Sequence, residues 1–100
     1  MRTYILEGHN VVPEPDIERW AQQCQDVQNI AVKKTYLEEY KVSTVFLWID
    51  HNYLNIGPPL LFETMIFGLS DENEYQKRCS TWEEAEVQHE EALKWLQERK

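Results

Sequence analysis

Apolar side chains crowd the middle of this chain and thin into periodic stripes on either side. Residues 42–68, VSTVFLWIDHNYLNIGPPLLFETMIFG, hold two strongly apolar runs joined by a short polar loop with a Gly-Pro-Pro corner. Val42 to Asp50 is β-branched and aromatic on both alternating faces, which predicts an interior strand, and Pro59 to Gly68 reads the same way. If the loop closes symmetrically, Phe46 lies opposite Glu63 and Asp50 opposite Pro59. One face then carries Thr44, Phe46, Trp48, Asp50, Leu61, Glu63, Met65 and Phe67, and the other Val45, Leu47, Ile49, Leu60, Phe62, Thr64 and Ile66. That assignment hangs on register, because a slip of one residue undoes it.

The flanks supply the remaining elements. Thr3 to Leu6 predicts a short first strand, broken by Gly8-His9-Asn10. Val11-Val12-Pro13-Glu14-Pro15-Asp16 prepares a helix, with proline and acidic side chains suited to a helix start. Ile17, Trp20, Ala21, Cys24 and Val27 then fall on one helical face. Asn29 to Leu37 alternates loosely and predicts a half-exposed strand, and residues 38–41 turn into the central hairpin. Tyr75, Lys77 and Cys79 alternate with polar partners, as in a short edge strand. Ser80-Thr81-Trp82-Glu83 matches a capping box. The last helix runs to about Glu98, with Trp82, Ala85, His89, Ala92, Leu93 and Leu96 on its apolar face. The expected fold is α+β: a small antiparallel sheet of four to five strands in β-α-β-β-β-β-α order, with two helices on one face.

Composition narrows the functional classes. One hundred residues fit one domain, and 42% hydrophobic residues can build a small core whose stability margin is thin, so a homodimer would be a natural supplement. The net charge of −8 argues against direct binding to a nucleic-acid backbone. It permits imitation of nucleic acid at a basic protein site, although solubility accounts for acidity more simply. Cys24 and Cys79 form neither a disulfide framework nor a zinc site, and Cys24, on the first helix's apolar face, is expected to be a buried structural thiol. The first ten residues lack a signal-peptide run, and no stretch approaches a membrane span. The expectation is a cytoplasmic protein with no membrane partner.

Four residues are candidates for chemistry. Glu63 interrupts the apolar run LLFETMIF, where a buried carboxylate needs a partner. It is either a base, a metal ligand or a cation anchor, or it points out of an exposed sheet face or pairs with a lysine on a neighbouring strand. Asp50 and His51 end the first run at the mouth of the loop. With Glu63 they offer donors for a metal, or Asp50 simply caps the loop. His89 sits at the centre of the last helix's apolar face, either as a satisfied core histidine or lining a pocket with Glu63 or Asp50. No GxSxG elbow, P-loop or GxGxxG accompanies them, and no cofactor is expected. Phe46, Trp48, Met65 and Phe67 either share the face that the helices leave open, which then has the character of a protein interface, or lie under a helix with the aliphatic face left open.

The blocks Val42-Ser43-Thr44-Val45-Phe46-Leu47, Asp50-His51, Pro58 through Gly68, and Ser80-Thr81-Trp82-Glu83-Glu84-Ala85-Glu86 with His89 resemble a family of small uncharacterised proteins encoded by bacteriophages and prophages. The early helix with Trp20 is also similar. This chain departs from the family in two places. Asn52-Tyr53-Leu54-Asn55-Ile56 stands where a glycine-rich loop is usual, and Gln88-His89 stands where Gly-His is usual. The resemblance implies a small accessory protein acting inside a bacterial cell. Two functions follow as expectations. The first is a module that binds a host or phage protein through the central hairpin, using Phe46, Trp48, Asp50, His51, Glu63, Met65 and His89. The second is a small metal-dependent hydrolase or nucleotide-ligand binder built on Asp50, His51, Glu63 and His89, with Glu63 and His89 as its catalytic pair.

Overall fold

The computed structural model describes residues 2–26, 31–71 and 74–99. The expected places of Val27, Asn29 and Ile30 lie outside the described residues. The elements run β1 (Tyr4–Glu7), β2 (Asn10–Pro13), α1 (Ile17–Asp26), β3 (Ala31–Leu37), β4 (Tyr40–Phe46), β5 (Phe62–Phe67), β6 (Gln76–Cys79) and α2 (Trp82–Arg99). The class is α+β. Strands β3-β4-β5-β6 form an antiparallel meander in chain order, and β1 and β2 form a separate hairpin. That hairpin corrects the expected break after Leu6. Gly8 takes the left-handed φ of 64°, so Gly8-His9 closes a two-residue turn between Glu7 and Asn10.

Each helix has a residue-level reason to start where it does. The Asp16 carboxylate accepts the amides of Glu18 (3.0 Å) and Arg19 (3.3 Å) and caps α1. For α2 the capping box sits one residue later than expected. The Glu84 amide donates to Thr81 Oγ1 (3.1 Å), and the Glu84 carboxylate accepts the Thr81 amide (3.1 Å). The α1 helix meets β1, whose outer edge is closed by the Gln23 amide: it accepts from Leu6 N–H and donates to Leu6 C=O, both at 3.2 Å.

The central hairpin differs from its symmetric expectation by one residue. Phe46 pairs with Phe62 and Val45 with Glu63. Phe46, Thr44 and Val42 therefore share a face with Phe62, Thr64 and Ile66, while Glu63, Met65 and Phe67 lie on the other. The strands are also shorter than expected, because at Trp48 the backbone turns to φ 68°. The chain then leaves the ladder, Ile49 bridges to Thr3, and the amide of Asp50 donates to the carbonyl of Arg2 (3.1 Å). A left-handed non-glycine residue costs roughly 1–2 kcal/mol, and here the nearly buried indole of Trp48 packs edge-on to Phe46 in return.

Helix α2 covers one face of the four-stranded sheet. Its buried residues Ala85, His89, Ala92 and Leu96 follow the helical period and divide the core in two. Toward β1 lie Tyr4, Ile5, Phe46, Trp48, Leu61, Phe62 and Ala85. At the far end lie Val42, Ile66, Tyr75, Ala92 and Leu96. A polar belt of Thr44, Thr64 and His89, each fully buried, separates them.

Candidate functional site

The expected site residues fall into three places. Asp50 is buried at the root of the loop. Its Oδ1 accepts the amides of Asn52 (2.8 Å) and Leu60 (2.9 Å), and its Oδ2 pairs with the Arg2 guanidinium. Burial pushes its pKa up, but the two amides and the Arg2 cation together outweigh that and hold it below the ordinary value. The carboxylate is ionised and committed to holding the loop, the capping role that its position in a turn suggested. His51 donates from Nδ1 to the carbonyl of Ile49 (2.8 Å), and its amide donates to the carbonyl of Leu60 (2.9 Å). Its ring lies 5.7 Å from that of Tyr53.

Glu63 lies on the face opposite α2. Its Oε2 accepts from Gln76 Nε2 (2.8 Å) and Arg78 Nε (2.9 Å), both on β6. Pairing with a cation on the neighbouring strand is how this carboxylate fits into an apolar run, with arginine where lysine was expected. His89 lies on the other side of β5, fully buried beneath α2. The two therefore do not share a cleft. Among the described residues no three histidine, cysteine or acidic side chains gather as a metal site would require.

His89 belongs to a chain of hydrogen bonds whose direction can be derived. Thr64 Oγ1 donates to Gln88 Oε1 (3.1 Å), so it must accept from Thr44 Oγ1 (2.7 Å). Thr44 has then spent its proton and accepts from His89 Nδ1 (2.8 Å). Nδ1 carries the hydrogen, and the remaining nitrogen, Nε2, accepts from Thr35 Oγ1 (2.9 Å). Every donor and acceptor of a neutral imidazole is met. Burial of the ring, and secondarily the Lys33 cation, lower its pKa, while Glu90 pushes back more weakly. The arrangement is that of a satisfied core histidine. The cysteines offer no nucleophile either: burial raises the Cys24 pKa, and burial together with Glu84 raises Cys79 to about 11.

The expected aromatic interface splits. Phe46 and Trp48 are core residues, because the one-residue shift and the turn at Trp48 bring them under α2 and against β1. Met65 and Phe67 remain on the uncovered sheet face beside Val45, with Tyr36 73% exposed on β3. Lys41 lies 4.9 Å above the Phe67 ring, and the Glu63–Arg78 pair borders Met65.

One further surface was not singled out from the sequence. The loop after His51 exposes Tyr53 (75%), Leu54 (80%) and Ile56 (77%). Its two asparagine side chains are engaged in hydrogen bonds that hold the loop's shape. Asn52 Nδ2 donates to the carbonyls of Ile56 (2.6 Å) and Pro58 (2.9 Å), and Arg2 donates to Asn55 Oδ1 (2.9 Å). Asn55 and Gly57 supply the left-handed corners at φ 55° and 79°. The signal was the run Tyr53-Leu54-Asn55-Ile56, because three large apolar residues are unusual in a surface loop.

No protein-family model, no curated protein and no solved structure matches the chain. Among the described residues no helix is long and apolar enough to cross a membrane.

Proposed function

We infer that the protein is a binding module that docks on another protein through the uncovered face of its central hairpin. The observation that carries this reading is the composition of that face. Val45, Met65 and Phe67 form a half-buried apolar centre, and Tyr36 stands out beside them. Lys41, Glu63 and Arg78 form a charged rim already held in place by contacts within the sheet. An aromatic residue and methionine at a centre free of charge, with charged groups at the edge, are the composition of protein interfaces. The resemblance to small phage-encoded proteins supports a host or phage protein as partner, inside a bacterial cell, whose action the docked protein would modulate or block. The hydrolase alternative has less support, since Glu63, Asp50 and His89 are each engaged in a different part of the fold.

The test is capture from bacterial lysate on immobilised protein, comparing wild type with Met65→Glu and Phe67→Glu. A carboxylate placed at the centre of the face should lower recovery of a stoichiometric partner by at least about tenfold, the loss typical of a disrupted interface centre. Circular dichroism should show both variants folded as wild type. Equal recovery by all three proteins would place any docking elsewhere.

A further inference from the structure

We propose that the loop at the tip of the central hairpin is a self-association surface whose occupant is a second copy of this chain. The proposal goes beyond the docking reading, which concerns the sheet face, and it stands on three observations about the tip.

The first is exposure without disorder in the pattern of bonds. Tyr53, Leu54 and Ile56 are 75–80% exposed on a loop held by the Asp50 carboxylate at its root and by the Asn52 amide across its span. A loop held in this way loses little conformational freedom on binding, which is the main cost of using a loop as a contact. The second is charge. His51 to Leu60 contains no aspartate, glutamate, lysine or arginine in a chain of net charge −8. Two copies repel one another through their net charge, and this loop of uncharged residues, beside which the Arg2 and Asp50 charges are paired with each other, is where like-charged molecules can meet at low cost.

The third is shape. Beside the loop lies a hollow of about 440 Å³ lined by Arg2, Asp50, Asn52, Tyr53 and Asn55. A second hollow of about 300 Å³ shares Arg2 and is walled by Pro13, Pro15 and the exposed Ile17. A cavity of roughly 150 Å³ already admits a benzene ring, so either hollow has room for Leu54 or Ile56 of another copy. A two-fold contact requires one patch to supply both the projecting side chain and the hollow that receives it. This tip supplies both. Small contacts of this kind sit at the weak end of specific interfaces.

Sedimentation velocity on the purified full chain decides the matter, run on wild type, Leu54→Asp, Met65→Glu and Val87→Asp. Val87 is 58% exposed on α2 and controls for the added charge. Wild type should be about half dimeric at a concentration on the order of 10–100 µM, as a small transient interface allows. Leu54→Asp should raise that midpoint at least about tenfold, and Val87→Asp should leave it unchanged. A wild type that stays monomeric to several hundred micromolar, on the scale of such weak contacts, overturns the proposal. So does a Leu54→Asp variant that dimerises as wild type does. Loss of the dimer on Met65→Glu, with Leu54→Asp unaffected, would move the contact to the sheet face and overturn it equally.

Discussion

At the scale of single residues, His89 and Asp50 show two ways of burying a polar group. His89 is kept neutral and given a hydroxyl at each nitrogen, while Asp50 is kept charged and given two amides and a guanidinium. Their consequences with pH follow from the signs of their shifts. His89 has a folded pKa below its ordinary 6.5, so the unfolded chain binds the extra proton first as pH falls. Its stabilising contribution is complete above 6.5 and is lost as pH falls toward the folded value. Asp50, also lowered, contributes fully above its ordinary 3.8, and that contribution is lost as pH falls further. Urea unfolding between pH 3 and 8 should show stability declining below about pH 6.5 and more steeply below about pH 4, where other carboxylates also protonate. Imidazole nitrogen shifts should report the hydrogen of His89 on Nδ1 at neutral pH. Replacing Thr44 with Val strands that N–H in the core and should cost about 1–3 kcal/mol of unfolding free energy.

At the scale of elements, periodicity exposed most of the fold, and its failures have local causes. The stripe Ala85, His89, Ala92, Leu96 was legible because a helix with one buried face must repeat it. The apolar runs at β4 and β5 were legible as interior strands because they are β-branched and aromatic on both faces. Their register was not, because an apolar alternation does not say where a hairpin's asymmetry lies. Here the asymmetry comes from Trp48, whose left-handed backbone diverts the strand toward β1. No single-residue preference forecasts a left-handed tryptophan. Glu63 was readable as an outward residue with a partner on the next strand, whereas the separation of Glu63 from His89 needed the register. The β1–β2 hairpin was missed because Gly-His is a weak turn signal beside Asn-Gly. A related element-scale feature is Gly68, which closes β5 at φ 106°. A Cβ there would stand 2.7 Å from the carbonyl oxygen of Glu39. Gly68→Ala should therefore destabilise by more than about 1 kcal/mol, measured as a lower urea midpoint with unchanged slope, since the strain adds to the ordinary steric cost of this backbone region.

At the scale of the whole molecule, one face of the sheet is covered by a helix among the described residues. Helix α2 covers the face of Phe46 and Phe62, and the β1–β2 hairpin with α1 closes the end near Trp48. The opposite face and the tip of the hairpin remain as two surfaces of different character, one apolar with a charged rim and one uncharged. Met65→Glu and Leu54→Asp separate the two experimentally, because each should disturb one kind of association and spare the fold. The buried belt of Thr44, Thr64 and His89, completed at its edges by the half-buried Thr35 and Gln88, carries a further consequence for how this sequence can vary. Each of these side chains satisfies its neighbour, so a lone replacement orphans a partner inside the core. An apolar core of the same volume would be acceptable, but only if several positions changed together. Among relatives of this chain, these five positions should therefore vary as a block, polar in concert or apolar in concert.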